Sequence, residues 1–338
     1  MDRTLWWDHE SDRLRLIDQT LLPARYESVL IPDIDTLVEA IQSLRVRGAP
    51  ALGVAGAYGV ALAARTANPG CYLEAVGELA KRVRSARPTA VNLAWGVDRA
   101  LAAIGEAENP DEVRNRTLAE AELIANEDIA TNRALGTHGA ALLPDDATVL
   151  THCNAGALAC VGWGTALGVV RSAVEAGKRV SVIACETRPL LQGARLTAFE
   201  LQHDGIPVTV CPDSAAAELM REGGIDAVIV GADRITRDAV FNKVGTYAHA
   251  IAARYHGVPF YVAAPSSTLD PFLTGAEVEI EERGRAEVAC LCGTPTMPDG
   301  VPVRNPAFDL TPIELVTAVI TERGVFADPQ ELFAPWRP

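Results

Sequence analysis

The sequence has no surplus of positive charge with which to meet a nucleic acid. Asp and Glu number 44 against 30 Lys and Arg, for a formal net charge of -14. Neutralising a duplex backbone takes clustered Lys and Arg, so a nucleic-acid partner is not expected. Long apolar runs are missing as well. The longest, APALGVAGAYGVALAA from Ala49 to Ala64, is shorter than the roughly 20 residues a membrane span needs, and it is mostly Ala and Gly. It predicts a tightly packed internal helix rather than a membrane segment. The N-terminus, MDRTLWWDHESDRLRL, is charged and lacks the apolar core of a secretory signal. The seven cysteines, at 71, 153, 160, 185, 211, 290 and 292, are odd in number and irregularly spaced. A disulfide framework is therefore not expected, and reduced thiols in the cytoplasm are. Paired CxxC, HExxH and GxxxxGK[ST] patterns are absent, so neither a local zinc motif nor a Walker motif is present. Cys290 and Cys292 form an isolated CxC, read as alternating burial in a strand. No internal repeat or low-complexity segment occurs.

What remains is an ordinary globular composition, 49% hydrophobic and 22% charged. The pattern changes along the chain. DRLRLIDQ and ARYESVLI, joined by a Leu-Leu-Pro turn, alternate with period two and predict short antiparallel strands. From Asp33 to about Ala140, apolar residues recur three and four apart, as in DIDTLVEAIQSLRV and AVNLAWGVDRALAAIG, which predicts helices. Beyond that, ATVLTHC, KRVSVIACE, IPVTVC, DAVIVGAD and PFYVAAP are short Val/Ile-rich runs separated by helical stretches. Continuous apolar strands alternating with helices imply a parallel sheet covered on both faces. The fold class is α/β. A mainly helical N-terminal domain with a short antiparallel sheet is expected over 1–140, and a Rossmann-like, doubly wound domain over 141–338.

In such sheets ligands bind beyond the carboxyl ends of the strands. The strand tips are polar here, with Cys153, Glu186, Arg188, Asp213, Asp233 and Arg234. GWGTALG, from Gly162 to Gly168, comes close to a dinucleotide fingerprint, and Glu186 stands where a ribose-binding acid would. One reading is therefore a nicotinamide dehydrogenase with NAD at Gly162 and Gly164. The other is that these glycines only allow close packing. VRGAPALG (Val46 to Gly53) and ARPTAVNLAWG (Ala86 to Gly96) each set an arginine, Arg47 or Arg87, just before a helix start. Such sites suit an anion, and together they suggest an anionic substrate held between the domains. Asp233 and Lys243 are acid–base candidates if they share a site mouth with Cys153. Cys160, Cys185 and Cys211 read as packed small hydrophobes. His152 precedes Cys153 on a strand, so the two face opposite sides and are not a nucleophile pair.

Several blocks together carry a resemblance: VRGAPALGVAGAYGVAL, RPTAVNLAWG, THCNAGALA, GWGTALG, ETRPLLQGARLTAFEL, GADRI and NKVGTY, and later NPAFDLTPIELVTAVITERG. They run in order from about residue 41 to 268 and again from 305 to 324. The sequence resembles the S-methyl-5-thioribose-1-phosphate isomerases, aldose–ketose isomerases of methionine salvage. Relatives of that family include ribose-1,5-bisphosphate and 5-deoxyribose-1-phosphate isomerases. They also include the non-catalytic regulatory subunits of the exchange factor for eukaryotic initiation factor 2. The resemblance implies that Cys153 and Asp233 are catalytic, Asp233 as proton donor. It implies substrate binding by Arg47, Gly48, Ala49, Arg87, Gln192, Asn242 and Lys243. It further implies a cytoplasmic homodimer acting on a small sugar phosphate, with no metal and no nucleotide cofactor. The chain departs from the family pattern in TRDAVFNK, after GADRI, where one residue and the usual glycine are missing. The chemistry matches the residue types. With phosphate on the anomeric carbon there is no free aldehyde, so the ring oxygen must gain a proton as the C1–O4 bond breaks. A buried carboxyl can supply that proton, and cations can hold the phosphate.

Overall fold

A computed structural model describes residues 3–334. The chain divides into two compact units. One runs through Asn132 and includes Gly156–Gly164; the other comprises Arg133–Ala155 and the chain from Thr165 onward.

The first unit opens with an antiparallel sheet of β1 (Leu5–Asp8), β2 (Arg13–Ile17) and β3 (Ser28–Ile31). β2 and β3 are the two strands expected from the alternation. β1, LWWD, is too short for its period to stand out. Helices α1 (Ile34–Gln42), α2 (Ala49–Thr66), α3 (Tyr72–Arg84) and α4 (Val91–Ala102) follow, and then the long α5 (Pro110–Ala140), within which the division between units falls. α2 is the Ala/Gly-rich run, and it is buried without interruption from Ala51 to Ala64. Its small residues set the packing distance to α4. A Cβ on Gly96 would lie 1.8 Å from the Gly53 carbonyl oxygen, and one on Gly56 would lie 2.5 Å from that of Leu93. No side chain larger than hydrogen fits there.

The second unit is built on a seven-stranded sheet. Its strands are β4 (Asp146–Thr151), β5 (Arg179–Cys185), β6 (Val208–Cys211), β7 (Ala227–Val230), β10 (Phe260–Ala263), β14 (Ala318–Thr321) and β15 (Gly324–Phe326), in the order β15-β14-β10-β7-β4-β5-β6. All neighbours are parallel except the edge pair β14–β15. The side chains of each strand alternate between two cores. Val149, Ala227 and Ile229 pack on one face with α6 (Ala166–Glu175). Leu150, Val228 and Val230 pack on the other with α8 (Ala216–Glu222) and α9 (Thr246–His256). Both faces are covered, which is why the strands read as unbroken apolar runs. A short helix α7 (Ala198–His203) leads into β6. A separate antiparallel sheet of β8 (Arg234–Ile235), β9 (Ala239–Lys243) and β13 (Phe308–Pro312) lies beyond β7 in the chain. It was not apparent from periodicity, because its strands are short and β13 is far from β9 in sequence.

The CxC run does not alternate in burial as expected. β11 (Cys290–Leu291) pairs with β12 (Thr294–Pro295), and Cys290, Leu291 and Cys292 are all exposed. Cys292 has φ 50°, a turn conformation that strand alternation does not allow.

Candidate active site

The sheet order reverses between β4 and β7. From β4 the chain proceeds to β5 and β6 on one side; from β7 it proceeds to β10 and β14 on the other. In open α/β sheets the crevice for a ligand opens outside the carboxyl ends at this point. Cys153 stands two residues past the end of β4, and Asp233 three past the end of β7. The two residues that the resemblance marks as catalytic therefore leave neighbouring strands at the switch point.

Cys153 is half-buried and has φ 65°. Its amide donates to Thr187 Oγ1 at 2.8 Å, and its carbonyl accepts from Thr197 Oγ1 at 2.7 Å. Thr187, at the tip of β5, is itself left-handed at φ 70°, an unfavourable region for a β-branched residue. Its hydroxyl donates to the Cys185 carbonyl, while its amide and that of Arg188 donate to the two oxygens of Asp213, each at 2.7 Å. Leu191, at φ 58°, adds a third such residue. Strained backbone of this kind costs of order 1–3 kcal/mol per residue and collects where a site must be held in one shape. Here hydrogen bonds from the β5 and β6 tips over-determine it.

Asn154 extends the network. Its Nδ2 donates to Thr197 Oγ1 and to Glu200 Oε1, at 3.2 and 2.9 Å. Glu200, fully buried, also accepts from Arg171, which bonds Asp204 as well. Sequence reasoning missed Thr187, Asn154, Thr197, Glu200 and Arg171. The only available signal was a pair of charges, Arg171 and Glu200, on otherwise apolar helical stretches.

Gln192 precedes a π-helical turn, Gly193–Thr197, an arrangement common near functional sites. Its Oε1 is buried with no hydrogen-bond partner, so one acceptor is available to a ligand. Gly193 is required by close approach, because a Cβ there would sit 1.7 Å from the Cys185 carbonyl oxygen. Gly193→Ala should therefore destabilise the chain by roughly 1–3 kcal/mol or more and disorder the Thr187–Gln192 turn. Urea unfolding midpoints of variant and parent check this.

Asp233, half-buried, enters a hairpin. Its amide donates to the Phe241 carbonyl at 2.8 Å, and Arg234 pairs with Phe241 and Ile235 with Val240. The TRDAVFNK segment is this hairpin, with Thr236 closing the turn onto Ala239. β9 ends in Asn242 and Lys243, both buried. Asn242 Nδ2 donates to Thr246 Oγ1 at 2.9 Å. Lys243 Nζ donates to the Ala307 carbonyl at 3.0 Å and lies 5.8 Å from the Phe308 ring centroid. Burial lowers the Lys243 pKa, while the charges of Cys153 and Asp233 pull it up. Cys153, Asp233 and Lys243 thus share one electrostatic environment.

The partners of His152 lie outside this group. It is fully buried, and its Nε2 donates to the Val244 carbonyl at 2.9 Å. Burial brings its pKa down to about 4, and that of neighbouring His249 down to about 3. Both rings are therefore neutral near pH 7.

The remaining expected residues lie in the first unit. Gly48 caps α2 at φ 97°, and a Cβ on it would lie 2.4 Å from the Ala159 carbonyl oxygen. Ala49 opens α2. Arg47 Nε donates to Gln19 Oε1 at 3.3 Å, and Gln19 is held by the Leu158 carbonyl. Arg87, half-buried, sits four residues before α4 begins. Each is a cation beside a helix N-terminus, as read from the sequence.

The dinucleotide reading of Gly162 and Gly164 is not supported by this geometry. That fingerprint needs a tight turn leading directly from strand to helix. Here 14 residues, 152–165, separate β4 from α6, and Gly156–Gly164 packs with the first unit. Gly164, at φ 85°, permits a close approach to Gly156, where a Cβ would lie 2.4 Å from the Gly156 carbonyl carbon.

A family model described as the Initiation factor 2 subunit family matches residues 45–328. A protein of Heliobacterium modesticaldum named methylthioribose-1-phosphate isomerase is 52% identical over 336 residues, covering 97% of this chain and 96% of its own. A crystal structure from A. fulgidus, described as translation initiation factor eIF-2B subunit delta, superposes with TM-score 0.90 at 52% identity and covers 99% of both chains. A structure described as 5-methylthioribose 1-phosphate isomerase from Pyrococcus horikoshii gives TM-score 0.91 at 40% identity, covering 98% of this chain and 96% of that one. With this coverage and identity, the chain belongs to the Initiation factor 2 subunit family.

Proposed function

We propose that this chain is an aldose–ketose isomerase of methionine salvage, converting 5-methylthioribose 1-phosphate to 5-methylthioribulose 1-phosphate. The observation that carries the reading is the placement of Cys153 and Asp233 on adjacent strand tips at the sheet's switch point, with buried Lys243 in their field. A binding module has no need of a thiol and a carboxyl at that position. The names of the relatives favour the same activity.

In the proposed reaction Asp233 gives its proton to the ring oxygen as the C1–O4 bond breaks. Hydrogen then moves from C2 to C1 and the 2-hydroxyl loses its proton. The products are a ketone at C2 and a primary phosphate at C1, with no net oxidation and no cofactor required. Cys153 receives or exchanges the hydroxyl proton. Lys243, Arg47 and Arg87 bind the phosphate dianion. Gly48, Ala49, Gln192 and Asn242 complete the substrate-binding set, with the unpaired Gln192 Oε1 accepting from a sugar hydroxyl. We read the enzyme as a cytoplasmic homodimer, which sedimentation velocity tests.

Phosphorus NMR of the purified chain with 5-methylthioribose 1-phosphate, without added cofactor, is the direct test. Ribose 1,5-bisphosphate and 5-deoxyribose 1-phosphate are run in parallel. The expected result is replacement of the anomeric phosphate signal by a primary ketose phosphate signal, fastest with the methylthio sugar. Faster turnover of another sugar would reassign the 5-substituent. No conversion of any of the three would leave a sugar-phosphate-binding relative and sink the isomerase reading. Running the reaction in deuterium oxide separates two routes. Deuterium at C1 indicates an enediol intermediate, and its absence indicates hydride transfer.

A further inference from the structure

Behind Cys153, on the opposite side of the β4 tip, lies a buried cluster that the reaction does not use. His152 follows β4, Cys185 ends β5 and His249 lies in the first turn of α9. All three are buried, and their ligand atoms (imidazole nitrogens and Sγ) lie within 4.8 Å of one another. No local sequence motif marks this group, because its members stand 33 and 64 residues apart on three separate elements.

We propose that His152, Cys185 and His249 form a binding site for a zinc-type divalent cation, which ties the tips of β4 and β5 to α9. Two nitrogens and a sulfur are the donor set that zinc prefers among biological cations. The nitrogens already have the required spacing. His152 Nδ1 and His249 Nε2 are 3.2 Å apart, in a hydrogen bond that Nδ1 accepts and that the ion would replace. Two imidazole nitrogens on one tetrahedral ion, with bonds of 2.0–2.1 Å, stand about 3.3 Å apart. A nitrogen and a thiolate on the same ion stand about 3.6 Å apart, so Cys185 Sγ needs to move by only about 1 Å. The second shell is in place too. The Val244 carbonyl can only accept, so it fixes the proton on His152 Nε2 and leaves the Nδ1 lone pair facing the cluster. Asp213 Oδ1, 3.8 Å from His152 Nδ1, and the Cys211 thiol, hydrogen-bonded to that of Cys185, flank the fourth corner. Asp213 is a quarter exposed, whereas His152 is fully buried. Gly245, at φ 109°, has no Cβ to press on the His152 ring, where one would lie 3.0 Å from Nε2.

Occupancy would have a structural consequence. The three ligands lie on the elements that carry Cys153, the Thr187–Gln192 turn and, just before α9, Asn242 and Lys243. The ion would brace the candidate active site from behind without touching substrate. The proposal does not depend on the isomerase reading, because its test measures the metal rather than turnover.

The test uses the full chain stripped with a chelator, with exposed Cys71, Cys290 and Cys292 changed to serine to remove surface thiols. Cobalt(II) titration should saturate at one equivalent per chain. It should give a thiolate-to-cobalt charge-transfer band together with the strong visible bands of a tetrahedral site, and zinc should abolish both. Cys185→Ser should remove the charge-transfer band. His249→Gln should weaken cobalt binding at least about tenfold. Zinc should raise the melting temperature of the surface-thiol variant but not of its Cys185→Ser derivative. The absence of saturable binding in the surface-thiol variant, whose buried cluster is intact, overturns the proposal without recourse to core variants. So do cobalt bands that survive in folded Cys185→Ser.

Discussion

Asp233→Asn should lower kcat by about 10²–10⁴-fold, the usual worth of a general acid, while substrate binding changes little. The backbone argues for this separation. Asp233 is held by its own amide, which donates to the Phe241 carbonyl, and by the β8–β9 register. Neither contact uses the carboxyl group. The asparagine side chain has the same size, so the hairpin and the positions of Asn242 and Lys243 should persist. What disappears is the only proton that Asp233 can deliver to a leaving ring oxygen. Asparagine also removes the negative charge that Asp233 carries once ionised, one of three, with Cys153 and Glu287, that raise the Lys243 pKa. The residual activity should therefore fall at a lower pH on the alkaline side than in the parent, as Lys243 deprotonates sooner. Steady-state kinetics across pH, with binding measured separately by calorimetry, reads both effects. A parental rate would refute the acid assignment, and a loss confined to KM would make Asp233 a binding residue. Cys153→Ala should produce a loss of similar size. The double variant should be little worse than the poorer single one, because groups acting as a unit in one step are not additive.

The strand tips were legible in the sequence because each parallel strand is a short Val/Ile run ending abruptly in polar residues. HCN after ATVLT and GAD after AVIV mark Cys153 and Asp233 without any coordinates. The order of the strands was not legible. That β7, rather than β5 alone, lies beside β4 is set by crossovers and packing, and this adjacency is what pairs the cysteine with the aspartate. The β8–β9–β13 sheet was hidden for a similar reason. Lys243 pairs with Phe308 and Asn242 with Asp309 across 65 or more residues, and no local period reports such pairing. Burial of polar groups was also beyond reach. RLTAFELQHD reads as an ordinary amphipathic segment, yet Thr197 and Glu200 are fully buried and hold the Cys153–Asn154 turn. The glycine turn misled in the opposite way. Its residue spacing imitates a dinucleotide loop, but the fingerprint depends on how soon the helix follows the strand, and α6 begins only at Ala166.

Arg171→Met should cost roughly 3–5 kcal/mol of stability, the usual result of leaving a buried charge without its partner. Arg171 is 7% exposed and Glu200 0%. The guanidinium donates to Glu200 Oε2 at 2.8 Å and to Asp204 Oδ2 at 2.6 and 2.8 Å. With methionine in its place, the shape is largely kept, but Glu200 and Asp204 both lose the guanidinium's charge and its hydrogen bonds. The penalty is then the desolvation of carboxylates deprived of that cation rather than lost packing. Removing both charges separates these causes. In Arg171→Met with Glu200→Leu no unpaired Glu200 charge remains in the core, and stability should recover most of the loss, since apolar replacement of a buried pair is often near neutral. Activity should not recover with it. Asn154 Nδ2 would lose its Glu200 acceptor, and the turn that sets the φ of Cys153 would lose one of the bonds that hold it. Urea unfolding gives the stability of all three proteins, with an unchanged m-value showing that the same surface is exposed. Turnover at a temperature where each is folded gives the rest. If the double variant were as unstable as Arg171→Met, the pair would be stabilising through its geometry rather than compensating its own burial. If it were fully active, the Glu200–Asn154 bond would have no part in shaping the Cys153 turn.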